Sequence, residues 1–127
     1  VNVVDSCGWL EYLSEGPNAD FFADAIEATD DLAVPVTSVY EVFKVVHRQR
    51  GEGDAIMAVA LMQQGSVVDL SMHLALEASR AGIALGLSMA DSMILATARA
   101  QNATLWTQDA DFATVDGVKY VARREAE

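Results

Sequence analysis

The stretch Val1–Leu10, "VNVVDSCGWL", decides how the rest of the chain is read. Its short apolar run ends at Asp5 and reads as a buried strand. Cys7–Ser14 then reads as a helix, closed by the turn "EGPN" at positions 15–18. The same rhythm recurs downstream. "LAVPV" (32–36), "SVVDL" (66–70), "ATLWT" (103–107) and "KYVA" (119–122) read as further strands, with Pro35 placing the second near its end. Between them lie helices over Asp20–Ala28, Ser38–Arg50, Asp54–Gln63, Ser71–Ala81 (stopped by Gly82) and Ser88–Gln101, the last expected to be the longest. Ser38 with Glu41, and Ser88 with Asp91, have the spacing of a capping box. Strands alternating with helices predict an α/β fold: one domain over residues 1–127, with a central parallel sheet of about four or five strands flanked by helices. In such sheets the working groups collect beyond the carboxyl ends of the strands.

Composition supports a single folded domain. The chain has 127 residues, 52% of them apolar, which argues against disorder. The one cysteine, Cys7, cannot form an internal disulfide and fits a reducing, cytoplasmic compartment. No apolar run approaches the roughly 18–20 residues of a membrane helix, and the first ten residues lack the pattern of a signal peptide. The net charge is −11, so a general nucleic-acid coat is disfavoured, because such a surface repels phosphate unless its acids are neutralised locally.

The acids are placed where that neutralisation would occur. Asp5 and Asp109 follow strands, Asp111 comes two residues later, and Glu41 and Asp91 are expected in the first turns of helices. Each has an ordinary explanation alone, as an N-cap, a capping box or a turn residue. Asp91 fits least comfortably, because it shares a helical stripe with the apolar Ile94, Leu95 and Ala98. Four carboxylates brought together are costly without a compensating cation. Oxygen ligands without clustered His or Cys point to Mg²⁺ or Mn²⁺.

Four segments then resemble the PIN-domain nucleases, specifically the VapC-type toxins of toxin–antitoxin pairs. "VVDSCGWLEYL" is similar to that family's opening strand, aspartate and helix, and "TSVYEVFKV" to its Thr/Ser…Glu helix. "GLSMADSMILATA" resembles its Leu-x-x-Ala-Asp-x-x-Ile-x-Ala-x-Ala segment, and "LWTQDADF" its closing Thr-x-Asp-x-Asp-Phe. The resemblance implies a Rossmann-like fold and a Mg²⁺- or Mn²⁺-dependent ribonuclease that hydrolyses phosphodiester bonds. It also implies a cognate antitoxin and a homodimer. Asp5, Glu41, Asp91 and Asp109 match the catalytic quartet, with Asp5, Asp91 and Asp109 as metal ligands. Thr107, Ser6 and Asp111 are supporting residues, Asp111 matching a fifth acid. Cys7 stands where the family often has Ser and reads as packing rather than as a nucleophile.

RNA needs a basic surface. The densest one lies around Lys44, His47, Arg48 and Arg50 on the Glu41 helix, and Lys44, Arg48 and Arg50 are the expected phosphate contacts. Arg80, Arg99, Arg123 and Arg124 are further candidates. Trp9, Tyr12 and Trp106 are available in type for base stacking, though such aromatics more often fill a core. The apolar Trp9, Leu10, Tyr12, Leu13, Phe21 and Phe22 are expected to receive an antitoxin segment, unless they serve the core or a dimer interface. Two rival readings remain: a receiver-type signalling domain with Asp69 as phosphate acceptor, and a PIN-like module that binds without catalysis.

Overall fold

The computed structural model describes residues 1–125. Five parallel strands form its sheet: β1 (Asn2–Val4), β2 (Leu32–Pro35), β3 (Ser66–Val68), β4 (Thr104–Thr107) and β5 (Val118–Tyr120). Their order is β3-β2-β1-β4-β5. The chain therefore builds outward from β1 in one direction, then returns to lay β4 on its other side. β1 and β4 meet at the switch point, where the flanking loops part and leave a crevice.

Six helices connect the strands: α1 (Ser6–Leu13) and α2 (Ala19–Ile26), α3 (Val36–Arg50) and α4 (Glu52–Met62), α5 (Met72–Leu85) and α6 (Met89–Ala100). Strand side chains alternate between the two faces of the sheet. Val4, Leu32, Val34 and Trp106 point into a core with Trp9, Phe22, Val42, Ala55 and Met62, beneath α1–α4. Their neighbours Val3, Ala33 and Leu105 point the other way, into a core with Ile94, Leu95 and Ala98 beneath α5 and α6. Phe22 and Met62 are fully buried, each contributing about 1.5–3 kcal/mol by transfer from water.

Three expectations need correction. The proposed Ser38–Glu41 capping box does not form. Pro35 ends β2 and is itself the N-cap, so α3 begins at Val36 with no side-chain cap, and the buried Ser38 hydroxyl has no partner among the described residues. Glu41 thus lies in the second turn, free to bond elsewhere. Nor does Gly82 stop α5, which continues to Leu85 and ends on Gly86 in the left-handed conformation. Gly82 instead permits close packing, since a Cβ there would sit 2.7 Å from Ser92 Oγ of α6. Finally, α3 with 15 residues, rather than α6 with 12, is the longest helix. The other box is half realised: Ser88 caps α6 by accepting from the Asp91 N–H.

Candidate metal centre

Asp5 leaves β1 and caps α1, its Oδ1 accepting the Ser6 N–H at 2.8 Å. Its Oδ2 accepts the Thr107 hydroxyl at 2.8 Å and the Cys7 thiol at 3.3 Å. Thr107 ends β4, directly beside β1, which is why a residue 102 positions away reaches Asp5. The same hydroxyl oxygen accepts the Asp109 N–H at 2.9 Å, and Asp109 Oδ1 accepts the Asp111 N–H at 2.9 Å. One threonine therefore sets both strand-borne acids. Asp91 enters from the first turn of α6, above the buried Ile94 and Leu95.

These elements bring together oxygens of Asp5, Asp91 and Asp109 within 4.8 Å of one another. Hard divalent cations take oxygen ligands at about 2.0–2.6 Å, so opposing ligands lie about 4–5 Å apart. The span and the all-oxygen donor set fit one such cation. Glu41 stands outside this trio, its Oε1 held by the Ser6 hydroxyl at 2.6 Å. Ser6 thus links Glu41 to Asp5, since its N–H and its hydroxyl serve the two acids separately. Asp111 contributes its backbone N–H, while its side chain is exposed.

The electrostatics are those of a crowded anionic site. Burial pushes the Asp5 carboxyl above its ordinary value, opposed by the hydrogen bonds from Thr107, Cys7 and Ser6. The Asp91 carboxyl is pushed up to about 6, first by burial and then by the charges of Asp5, Asp109 and Glu41. Burial and the Asp5 charge push the Cys7 thiol up to about 12, which keeps it protonated as a donor and removes it as a nucleophile. A bound cation would reverse the penalty on both aspartates.

The other predicted residues are more dispersed. Lys44, Arg48 and Arg50 are exposed on α3, with the Lys44 ammonium 5.6 Å from the Tyr40 ring centroid. Arg50 and Arg123 line a groove of about 620 Å³ that runs from Cys7 and Gln108 between Leu10, Leu13, Val45, Met57 and Leu61. Arg80 pairs with Glu77, and Arg124 is engaged by Asn18 and Pro17. Trp9 and Phe22 are fully buried in the core and are closed to base or partner, while Leu10 and Leu13 open on the groove. Trp106 is buried too, beneath the Lys119 ammonium at 4.1 Å. Asp69 follows the edge strand β3 and is absent from the carboxylate trio, which leaves the receiver reading without its acidic pocket. Sequence reasoning missed Gln108, which is buried between Thr107 and Asp109. Its signal was faint: a polar residue between two site positions at the end of a strand.

Among known proteins, residues 3–118 match the PIN domain family. No curated protein matches the chain. Among solved structures, a toxin–antitoxin complex from Klebsiella pneumoniae superposes with a TM-score of 0.78 at 23% identity, covering 94% of this chain and 96% of that one. The sarcin-ricin loop cleaving toxin VapC20 of Mycobacterium tuberculosis has a TM-score of 0.76 at 14% identity, covering 91% and 95%. VapBC2 from Rickettsia felis, bound to a DNA fragment from its promoter, has a TM-score of 0.73 at 12% identity, covering 95% and 97%. At these identities the likeness is one of fold.

Proposed function

Since the chain belongs to the PIN domain family, we propose that it is a Mg²⁺- or Mn²⁺-dependent endoribonuclease, the toxin of a toxin–antitoxin pair. The observation that carries this reading is the convergence of Asp5, Asp91 and Asp109 at the β1–β4 switch point. These three residues would hold the cation. When bound, such a cation lowers the pKa of a water and neutralises charge on the phosphoryl oxygens. The protein's own part is positional. Thr107 fixes Asp5 and Asp109 in register, and Ser6 holds Glu41 beside the trio. Glu41 is then placed to orient a water by accepting a hydrogen bond. Lys44, Arg48 and Arg50 extend along α3 from Glu41 and supply phosphate contacts, with RNA approaching that helix from the acidic centre.

Two protein partners complete the proposal. The groove between α1, α3 and α4 is apolar along Leu10, Leu13, Met57 and Leu61 and reaches Cys7 and Gln108 beside the acids. A cognate antitoxin would lay an apolar segment there and place an Arg or Lys against the carboxylates, competing with the metal. Ile83 and Met89 are 87% and 75% exposed, and Leu85, between them in sequence at the α5–α6 corner, is exposed too, a surface suited to a homodimer. Among the described residues no single helix is long and apolar enough to cross a membrane. The free Cys7 thiol suits the reducing cytoplasm.

Purified protein should cleave single-stranded or loop RNA with Mg²⁺ or Mn²⁺, and EDTA should stop it. Asp5→Asn and Asp91→Asn should each remove the activity while leaving circular dichroism unchanged. Wild-type cleavage rates in either variant would overturn the site assignment. Metal-dependent cleavage by the wild type separates this enzyme from a module that only binds.

A further inference from the structure

The end of β4 is held on both sides. Alternation along an extended segment sends Gln108 away from Thr107 and Asp109. Its side chain turns to Asn18. Asn18 is 1% exposed, unusual for a residue in the turn after Pro17. Its Nδ2 donates to Gln108 Oε1 at 2.9 Å and to the Ala122 carbonyl at 3.0 Å. Its Oδ1 accepts from Arg124 Nε at 2.8 Å, and Arg124 Nη2 donates to the Pro17 carbonyl at 2.6 Å.

This arrangement fixes the orientation of the amide. A guanidinium only donates and a carbonyl only accepts, so Arg124 and Ala122 together leave Asn18 one way round. That way presents a donor to Gln108. The Asn18 backbone is fixed too, its N–H donating to Glu11 Oε2 at 3.0 Å. Gly16 leaves the room this requires, because a Cβ there would collide with the Glu11 carboxylate. The tail is joined to β4 by a further bond, from the Val121 N–H to the Thr107 carbonyl at 3.0 Å. A turn asparagine needs none of these partners to make its turn.

We propose that Asn18, oriented by Arg124, is a positioning residue for the metal centre: it clamps Gln108 and so holds the Thr107–Asp109 segment that secures Asp5 and presents Asp109. This rests on the metal-binding reading above. The segment Ala122–Arg124 is then a working part of the site. Charge and geometry predict opposite effects for loss of Arg124. Removing a positive charge from an acidic protein favours cation binding by Coulomb attraction, whereas releasing the clamp disfavours it.

The test uses the full chain as wild type, Arg124→Ala, Arg124→Lys and Asn18→Ala. Hydrogen exchange of the metal-free protein reads the clamp, and Mn²⁺ titration followed by electron paramagnetic resonance reads its consequence. Exchange at the Asp109 and Asp111 amides should accelerate in Arg124→Ala and Asn18→Ala, with α6 unchanged. Mn²⁺ affinity should fall about tenfold, the scale of losing a residue that orients a ligand. Arg124→Lys keeps the charge with fewer donors and should fall between wild type and Arg124→Ala in both readouts. Arg124 is exposed, so its variants keep the test intact if Asn18→Ala does not fold. Unchanged exchange in Arg124→Ala, or Mn²⁺ affinity equal to or tighter than wild type, would overturn the proposal. A wild type that takes up no Mn²⁺, whatever the exchange result, would overturn the metal reading itself and the role given to the clamp with it.

Discussion

The strand-borne and helix-borne halves of the acidic centre are built differently. Asp5 and Asp109 follow adjacent parallel strands and are met by neutral donors: Asp5 by Thr107, Cys7 and the Ser6 N–H, Asp109 by the Asp111 N–H. Asp91 comes from a helix laid against the sheet and meets burial and like charge with little compensation. The first half is organised by the fold before any cation arrives. The second is the strained part, and in the proposed function it gains most when a cation binds. An acidic site can therefore be rigid and unfavourable at once, provided that different elements carry the two properties.

The largest expected effect breaks both halves alike. Asp5→Asn and Asp91→Asn should each lower RNA cleavage by roughly 10²-fold or more, the scale of removing one preorganised electrostatic group. A single-turnover assay on a cleavable RNA measures it. The halves should then separate in stability. Thr107→Val removes one of three donors to Asp5 and the acceptor for the Asp109 N–H, and a buried group left unpaired costs about 1–3 kcal/mol. Urea unfolding should register a loss of that order, and Thr107→Ser should restore most of it. An unchanged midpoint for Thr107→Val would show that the strand half is not organised by this hydroxyl.

Asp91 should behave in the opposite sense. Its carboxyl is raised from 3.8 to about 6 in the folded protein. Between those pH values the folded state binds a proton that the unfolded state has released, so metal-free stability rises as pH falls from 7 toward 4.5. The upward shift of Asp5 acts in the same direction. Asp91→Asn should flatten this slope and raise the metal-free melting temperature at pH 7 by about 2–5 °C. A melting temperature that falls with pH across this window, or a variant that retains the wild-type slope, would remove Asp91 from the strained half.

The smallest effects test two serines with the same sequence spacing. Ser88→Ala loses a formed N-cap and should cost about 1 kcal/mol. Ser38→Ala removes a buried hydroxyl without a partner among the described residues and should be neutral or slightly stabilising. Equal losses at both positions would restore the capping box that the structure replaces with Pro35.

That pair also explains what the sequence could and could not convey. Strands, helices and the acids beyond them were legible because period-two and period-3.6 patterns are local, and because Asp91, for all its capping-box spacing with Ser88, broke an apolar stripe. Ser38 and Glu41 were misread because the capping-box pattern spans four residues, whereas what decides it is the direct passage of β2 into α3 at Pro35. Glu41 bonds Ser6 across 35 residues, and Asn18 meets Gln108 and Arg124 across 90 and 106. No local pattern encodes such meetings. Trp9 and Phe22 looked like surface available to a partner because an amphipathic period does not distinguish a core from an interface. The sheet order puts both beneath α1–α4.

The account stands most directly on whether Asp91 belongs to a cation site. The decisive measurement is the melting temperature of wild type and Asp91→Asn at pH 7, with and without excess Mg²⁺. A ligand that binds only the folded state stabilises in proportion to its affinity. Mg²⁺ should raise the wild-type melting temperature clearly and that of Asp91→Asn little, reversing their metal-free order. Equal Mg²⁺ shifts in the two proteins would contradict the account.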